Sequence, residues 1–412
     1  MRFRVLTTAS LLALAGCHLH SDPPGEAPSG VVVTPGEGLV TVNWDRDSEL
    51  TYWIFYQPGS SVVPAAPGVP LIFDAVPPRV VAGLVNETPY AFIMNATRED
   101  SKAGPSSPVI VKKPRLAGAE WVPGTALGTP PTNLNGIAFN GGSRLVVVGN
   151  LGTIFAGDYN YTNTNPLGVT AWMPPTALPP GFNANLSAVI FSGLFVALGT
   201  DGSILTSTDG LTWTAATAVP PGAVMNGITF GVVGGSGIYV AVGGGGSIFT
   251  SPDLVTWTPA AVSNPPNTGD LFGVAFLNNL FLATGAGGTL LTSVDGINWT
   301  AQTSNTPSTL RATAFRSAPT PLYVVVGDSG TIVTSADATT WNPPIAPTPL
   351  PLTAVRFGSR FVAVGQGGGA LYSDDGSSWS IASGSSGDLS GVVYTPSMYV
   401  AVGAAGANEF SK

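Results

Sequence analysis

Residues 186–213 read LSAVIFSGLFVALGTDGSILTSTDGLTW, and this stretch decides the fold. Leu186–Phe191 and Phe195–Leu198 are short apolar runs, and a glycine-rich turn separates the second from Ser203–Thr206. Short runs of alternating residues bounded by turn residues are typical of β-strands. A Ser-x-Asp turn then leads to Trp213. The stretch therefore predicts four short antiparallel strands joined by tight turns.

The same pattern recurs along the chain, and two markers make the recurrence visible. One marker is a tryptophan after the last turn, and the other is a glycine that ends the second apolar run. The tryptophans are Trp121, Trp172, Trp213, Trp257, Trp299, Trp341 and Trp379, and the glycines are Gly149, Gly199, Gly243, Gly285, Gly327, Gly365 and Gly403. Four strands per repeat at this period indicate the blades of a β-propeller. Residues 116–412 are therefore predicted to form a seven-bladed β-propeller.

The turn after the third strand carries a Ser-x-Asp motif with a tryptophan four residues after the aspartate. It resembles the Asp-box, or BNR, repeat of sialidases and related propellers, with one residue fewer between Asp and Trp. The motif residues are Ser207, Asp209 and Trp213, Ser251, Asp253 and Trp257, Ser293, Asp295 and Trp299, Ser335, Asp337 and Trp341, and Ser373, Asp375 and Trp379. An aspartate in a tight turn accepts backbone N–H groups, and a tryptophan packs between strands. We therefore expect a structural and not a catalytic role for these residues.

The two ends of the repeat region each hold an incomplete unit. Ser411 lies eight residues after Gly403, as Ser207 does after Gly199, so the last repeat contains the start of a motif and no fourth strand. Trp121 is a fourth-strand marker without the strands that precede it. We expect the segment around Trp121 to close the ring beside the third strand of the last repeat, which hides the sheet edges.

Residues 31–115 are predicted to form a separate β-sandwich. Val40–Trp44, Tyr52–Tyr56 and Tyr90–Ala96 alternate in the manner of half-buried strands. This segment resembles a fibronectin type III domain, and Leu84–Tyr90 is similar to the tyrosine corner of that class of sandwich. The segment is either a rigid spacer or a binding module.

The beginning of the chain predicts export. Arg2 and Arg4 are followed by the mostly apolar run Val5–Ala15. This run is too short to span a hydrocarbon core of about 30 Å as a helix. It is typical of a secretory signal peptide. We therefore assign residues 1–16 to such a signal.

The end of that signal predicts a lipid anchor. Leu14–Cys17 resembles the lipobox of bacterial lipoproteins, and Cys17 is the only cysteine of the chain. The resemblance implies that Cys17 is lipidated, that residues 17–30 form a tether, and that the protein meets the membrane only through its lipid. Position 18 holds His18 and not aspartate, which by the same resemblance points to the outer membrane. Which leaflet of that membrane holds the anchor stays open.

Composition excludes several classes of function. The chain has 15 basic and 23 acidic residues and a pI near 4.6, which excludes nucleic acid as a partner. Both histidines, His18 and His20, precede the predicted domains. A Ser–His–Asp triad and a zinc site of His and Cys ligands are therefore excluded from those domains. We predict no metal and no cofactor.

A sialidase-like reaction is the enzymatic alternative. By resemblance it requires three arginines, a Tyr–Glu pair and an acidic residue near the propeller axis. The repeat region contains only two glutamates, Glu120 and Glu409, and both are expected on outer strands of the closing repeat. We therefore predict no catalytic residue, and we keep a glycoside hydrolase acting on surface or extracellular glycans as the alternative.

A ligand face is expected where fourth strands lead to the next first strands and where second strands turn into third strands. Its polar residues either contact a ligand or keep the face soluble. The candidate contacts are Asn135, Asn226, Asp270, Arg311, Asp328 and Asp388.

The sequence thus predicts an all-β, envelope-anchored lipoprotein that acts as a non-enzymatic binding or scaffolding module. The propeller face would recognise an envelope or extracellular protein or a glycan. A further resemblance, to the Asp-box propellers of photosystem II assembly factors, favours the scaffolding role through fold analogy. The identity of the ligand and the oligomeric state stay open.

Overall fold

The structure is a computed structural model that describes residues 22–98, 101–159, 169, 171–220, 224–263 and 269–411. The predicted signal peptide, Cys17, His18 and His20 lie outside the described residues. The described chain is all-β, because it contains strands and only short 3₁₀ turns. No helix among these residues has the length and apolarity needed to cross a membrane.

The chain divides into two compact units. The first contains the chain up to Val33 together with Val42–Arg79 and Thr88–Lys112, and the second contains Thr34–Thr41, Val80–Glu87 and Lys113–Lys412. One four-stranded sheet, in the order β4-β3-β6-β7, lies in the first unit, and a three-stranded sheet, β1-β2-β5, has residues in both. These strands are β1 Val32–Gly36, β2 Leu39–Asn43, β3 Leu50–Pro58, β4 Leu71–Ala75, β5 Arg79–Ala82, β6 Tyr90–Arg98 and β7 Ile110–Lys112.

Seven further sheets follow in the described part of the second unit. The first three are formed by β9 Leu134–Phe139, β10 Arg144–Gly149 and β11 Ile154–Asp158; by β12 Leu186–Phe191, β13 Phe195–Gly199, β14 Ile204–Ser207 and β15 Thr214–Ala216; and by β16 Met225–Val233, β17 Ser236–Gly243, β18 Ile248–Ser251 and β19 Thr258–Pro259. The fourth contains β20 Ala261–Ser263, β21 Leu271–Leu277, β22 Leu280–Gly285, β23 Leu290–Ser293 and β24 Asn298–Ala301.

The remaining three sheets complete the second unit. They are formed by β25 Leu310–Arg316, β26 Leu322–Gly327 and β27 Ile332–Ser335; by β28 Leu352–Phe357, β29 Phe361–Gly365, β30 Ala370–Ser373 and β31 Ser380–Ile381; and by β32 Leu389–Thr395, β33 Met398–Gly403, β34 Asn408–Ser411 and β8 Val122–Pro123. Consecutive strands within each repeat pair antiparallel, as the tight turns predict.

Hydrophobic burial holds these sheets together face to face. The last five residues of every second strand are buried, as in Phe195–Gly199, because the strand has neighbours in its own sheet and sheets on both faces. One shared core contains Val146 and Ile154 of one sheet and Leu205 and Trp213 of the next. The first strand of every sheet contacts that of the next, and β32 contacts β9. The sheets therefore close into a ring.

The expectation of four strands in every repeat is wrong for two repeats. Among the described residues, the sheets β9–β11 and β25–β27 have three strands, and their fourth-strand positions form the single bridges Ala156–Met173 and Ile332–Ile345. Proline pairs follow at Pro174–Pro175 and precede Ile345 at Pro343–Pro344. Proline has no backbone N–H to donate, so the ladder stops after one bridge. The fourth of the seven sheets has one strand more than the repeat predicts, because β20 pairs in parallel with β24 at its edge.

The ring is closed by the pairing of distant segments, as predicted. β8 pairs antiparallel with β34, so Val122 lies opposite Phe410. The backbone N–H of Gly118 donates to Ser411 Oγ at 2.8 Å, and Trp121 Nε1 donates to the Gly118 carbonyl at 3.2 Å. In other repeats a Ser-x-Asp turn follows the third strand. Here the equivalent turn is assembled from two distant parts of the chain.

Candidate functional site

The strand directions define two edges of the ring of sheets. We call the leading edge the one where first strands begin and second strands turn into third strands. The trailing edge is the one where first strands end and where third strands reach the Ser-x-Asp turns. Antiparallel pairing places these features together, because alternate strands run in the same direction.

In each Ser-x-Asp turn at the trailing edge, the serine and the aspartate make the same hydrogen bonds. Asp209 Oδ1 accepts the backbone N–H groups of Leu211 and Thr212, each at 2.8 Å, and the Ser207 hydroxyl at 2.9 Å. Trp213 Nε1 donates to the Gly210 carbonyl at 3.0 Å. The equivalent aspartates Asp253, Asp295, Asp337 and Asp375 each accept two backbone N–H groups in the same way. One oxygen of each carboxylate thus stabilises its own turn.

These hydrogen bonds favour the ionised aspartates. The backbone N–H groups of Thr212 and Leu211 lower the pKa of Asp209 to about 2 from an ordinary value of 3.8. The pKa values of Asp253, Asp337 and Asp375 are also lowered, mainly by backbone hydrogen bonds. For Asp295, burial acts to raise the pKa, and hydrogen bonds led by that of Asn298 outweigh it and lower the pKa to about 2.

Acid is therefore expected to weaken the fold in a defined pH window. A carboxylate whose pKa is lowered by folding stabilises the protein above its unfolded pKa, and this stabilisation is lost as pH falls through the folded pKa. For Asp209 that window runs from about pH 4 to about pH 2. The Asp209→Asn variant keeps an acceptor oxygen but does not titrate. Urea denaturation followed by tryptophan fluorescence should show the variant less stable than the wild type at pH 7, with the difference shrinking across this window. A difference independent of pH would contradict the assignment.

Side chains at the leading edge connect neighbouring sheets. In four places, the side chain just before a first strand accepts a backbone N–H from the preceding sheet. The donor is the middle residue of the turn that joins the second and third strands of that sheet. We call these contacts the latches. They join Leu151 N to Asn185 Oδ1 at 2.9 Å, Gly245 N to Asp270 Oδ1 at 2.9 Å, Gly367 N to Asp388 Oδ1 at 2.6 Å, and Ala405 N to Asn133 Oδ1 at 3.0 Å. The last of them connects the closing sheet to the first.

The other candidate ligand residues of the leading edge are also bonded within the chain. Asn135 Nδ2 donates to the Leu186 carbonyl, and Asn226 Nδ2 donates to the Leu271 carbonyl, both at 2.8 Å. Arg311 Nε pairs with Asp328 Oδ1 at 2.5 Å, and its guanidinium lies 5.1 Å from the centre of the Phe272 ring. The structure thus brings the six candidates to one edge. Four of them bond to a neighbouring sheet, whereas Arg311 and Asp328 pair within one repeat. Their role as ligand contacts stays a prediction.

An aromatic side chain occupies the sixth position of all seven first strands. We call this set the aromatic collar, and it lies at the trailing edge inside the ring. Six of the seven pack against an aromatic residue of the second strand with ring centres 4.5 to 4.9 Å apart. All are partly exposed. The collar consists of Phe139, Phe191, Phe230, Phe276, Phe315, Phe357 and Tyr394.

A cavity of about 570 Å³ opens within the collar. Its walls include Phe139, Phe191, Phe230 and Phe276, and Arg356 is the only charged residue among the described residues of the wall. The volume is in the range of small-ligand sites. The cavity lies at the end of the first strands opposite the predicted ligand face.

Arg356 is the fifth residue of β28 and is exposed to the cavity. Within the described part of the chain, its guanidinium makes no hydrogen bond or ion pair. The corresponding residues of three other first strands are Ala138, Ala275 and Ala314. Partial desolvation by nearby protein atoms lowers the pKa of Arg356, while the nearby Tyr399 acts to raise it. Arginine nevertheless stays protonated in proteins.

One carboxylate of the second unit reaches the collar. Glu37 Oε1 accepts the Tyr394 hydroxyl at 3.0 Å, and Glu37 Oε2 accepts the backbone N–H of Ala117 at 3.2 Å. Burial and the charge of Glu37 raise the pKa of Tyr394. Burial also raises the pKa of Tyr399, to about 12. Both tyrosines are therefore neutral near pH 7, and Glu37 is bonded to groups other than Arg356.

Sequence reasoning missed this site although a signal for it was present. The seven first strands share a leucine or methionine at position one and an aromatic residue at position six. Arg356 is the only charged residue at position five of these strands. Comparing the strands position by position would have separated Arg356 from the other four arginines of the repeat region.

The two glutamates of the repeat region are bonded within the chain. Glu120 pairs with Arg115. Glu409 is buried, and its Oε1 accepts the backbone N–H groups of Ser386 and Gly387 at 3.2 and 3.1 Å. Within the described ranges, no group of three or more His, Cys, Asp or Glu side chains is arranged to hold a metal ion.

The ring of sheets, with short strands running outward from a central cavity, defines a β-propeller domain. Comparison with known proteins supports this class. Residues 232–357 match the family described as the DUF6242 β-propeller domain. No curated protein matches the chain significantly.

Several solved structures share the architecture. YCF48 bound to a D1 peptide is 17% identical, with a TM-score of 0.55 over 70% of this chain and 96% of that chain. YCF48 from Cyanidioschyzon merolae is 17% identical, with a TM-score of 0.53 over 71% and 98%. A catalytically inactive virginiamycin B lyase from Staphylococcus aureus with quinupristin is 11% identical, with a TM-score of 0.59 over 71% and 99%. At these identities the similarity shows the fold alone.

Proposed function

We propose that this chain is a non-enzymatic binding or scaffolding module whose propeller captures a protein segment at the trailing edge. The observation that carries the proposal is the open cavity of about 570 Å³ inside the aromatic collar. Aromatic side chains, phenylalanine included, are enriched at the cores of protein–protein interfaces. YCF48, whose fold is similar, has been solved with a bound peptide.

The polar groups of the second unit support binding over catalysis. The leading-edge carboxylates Asp270 and Asp388 accept backbone N–H groups of neighbouring turns. Glu409 likewise accepts two backbone N–H groups. A glycoside hydrolase requires two carboxyl groups that face a substrate. No acidic residue lines the cavity in the part of the chain that the structure describes.

The architecture proposed for the whole chain is a seven-bladed Asp-box propeller joined to a fibronectin type III-like sandwich. The seven sheets and the pairing of β8 with β34 support a ring of seven blades closed by interleaved termini. The repeated Ser-x-Asp hydrogen bonds support the Asp-box relationship. The sheet orders β1-β2-β5 and β4-β3-β6-β7 support the sandwich.

We also propose that Cys17 carries a lipid that anchors the protein in the bacterial envelope, at the outer membrane. The lone cysteine after an apolar leader supports this placement. Labelling cells with radioactive palmitate tests it. The wild type should take up label and sediment with membranes, whereas Cys17→Ser should take up none. Equal labelling of both proteins would overturn the anchor.

Site-specific photocrosslinking tests the binding function. The full-length protein is produced in its own cells with p-benzoylphenylalanine in place of Phe276 in the cavity wall. Matched positions are Leu151 at the leading edge, which is 69% exposed, and Val255 on a Ser-x-Asp turn, which is 59% exposed. A protease-sensitive adduct at position 276, stronger than at 255, is expected.

Other outcomes of that experiment contradict the proposal. An adduct at position 151 without one at 276 would move the binding site to the leading edge. An adduct removed by glycosidases but not by proteases would identify a glycan ligand. A glycan array that shows product release by the purified full-length protein would establish the hydrolase instead.

A further inference from the structure

We infer that the collar cavity binds a carboxylate carried on an aromatic or aliphatic body, with Arg356 as the residue that recognises the carboxylate. The inference rests on the proposed binding function of the cavity and adds the chemical class of the ligand. It follows from the charge, the lining and the unused hydrogen-bonding groups of the cavity.

Arg356 supplies the charge. Its side chain is exposed to the cavity, so the guanidinium can be reached by an anion that enters. Other arginines of the repeat region form ion pairs with carboxylates, as Arg311 does with Asp328 and Arg360 does with Asp374. Arg356 faces the cavity with its donors free in the described structure. An anionic ligand would satisfy it.

The shape of the guanidinium and the apolar walls of the cavity together select the kind of anion. Arginine presents parallel N–H groups that match the two oxygens of a carboxylate. Phosphate also fits such a fork, but the described residues that line the cavity include no second cation to balance a further charge. The same cavity is lined by Phe276, Phe230 and Val393 among other apolar side chains. They suit an apolar body attached to a single negative group.

Two sources could present this chemistry, namely the C-terminal residue of a protein chain and a free organic acid. Titration calorimetry with the full-length protein in detergent separates them. The probes are N-acetyl-phenylalanyl-leucine with a free carboxylate, the same dipeptide as its C-terminal amide, 4-phenylbutyrate, and inorganic phosphate. Binding of the free dipeptide but not of 4-phenylbutyrate indicates a chain end, and binding of both acids indicates a site for the carboxylate and its apolar body alone.

Arg356→Met is the test variant, because it keeps an unbranched side chain and removes the charge. Arg360→Met is the matched control, because Arg360 lies four residues away, pairs with Asp374 and is not part of the cavity wall. A hydrogen bond to a charged group typically changes binding about 10- to 100-fold. We expect a loss of this size for the free dipeptide with Arg356→Met, a smaller loss with Arg356→Lys, and little change with Arg360→Met.

The outcomes separate this inference from the proposed function. Equal binding of acid and amide, no binding of either acid, or unchanged binding by Arg356→Met would overturn the carboxylate site. Tighter binding of phosphate than of the acids would also overturn it. If crosslinking at Phe276 still yields a protein adduct in that case, the proposed function stands without the carboxylate.

Discussion

Replacing Trp299 with alanine is expected to lower the free energy of unfolding by about 3–5 kcal/mol. The Trp299 side chain is fully buried between two sheets, in one core with Val240 and Phe281. Its Nε1 donates to the Gly296 carbonyl at 2.9 Å. The variant therefore leaves a large cavity and a carbonyl without its partner.

Trp379 provides the matched control for this prediction. It makes the same hydrogen bond, to the Gly376 carbonyl at 3.0 Å, and its ring lies as far from Phe361 as that of Trp299 lies from Phe281, 6.3 Å. Trp379 is partly exposed, so Trp379→Ala removes less buried surface and should cost about 2 kcal/mol. Urea denaturation followed by far-UV circular dichroism measures both. Equal losses would show that burial between sheets is not what makes Trp299 important.

Gly330→Ala is expected to destabilise the protein by about 3 kcal/mol or more, from a strained backbone conformation and an atomic overlap. Gly330 has a φ of +67°, and a Cβ atom there would lie 1.7 Å from the Thr348 carbonyl oxygen. The Cβ atom is fixed to the backbone and the carbonyl oxygen is part of it. Either the turn at Gly330 or the chain at Thr348 therefore has to move. Thermal and urea unfolding measure the loss.

Gly287 gives the control. It lies in the equivalent turn between β22 and β23, one position before the residue that corresponds to Gly330. Gly287 has a φ of +61°, and a Cβ atom there would meet nothing within 4 Å. Ser329 and Ala405 already occupy that position in other sheets with φ values of 55° and 51°. Gly287→Ala should therefore cost only about 1 kcal/mol. A comparable loss in Gly287→Ala and Gly330→Ala would mean that backbone strain alone, and not the close approach to Thr348, requires glycine.

The repeat pattern predicted most of the second unit because each strand is short and its neighbours in sequence are its neighbours in space. The Ser-x-Asp turns at Asp209 and Asp295 are local hydrogen-bonded units, and their residues lie within seven positions of one another. The missing fourth strands were not predicted, although Pro174 and Pro343 gave the signal. Proline removes a donor, and the tryptophan marker alone does not reveal that loss.

The candidate site was predicted less well, because binding depends on which polar groups remain unused after folding. Asp270 and Asp388 look available in the sequence, yet each accepts an N–H group from the preceding sheet. Arg311 looks like a ligand contact, yet it pairs with Asp328. Arg356, which attracted no prediction, is the arginine that faces an open cavity.

By itself the sequence determined the all-β class and the repeated turns, since strand alternation and tight-turn hydrogen bonds are local properties of the chain. Only the tertiary structure decided how Ser411 meets Gly118 and Trp121 to complete a turn from distant segments. It also decided that the cavity opens at the trailing edge around Arg356. The incomplete repeats at the two ends predicted which segments meet, but the contacts of Ser411 and the cavity around Arg356 form only when the sheets pack into a ring.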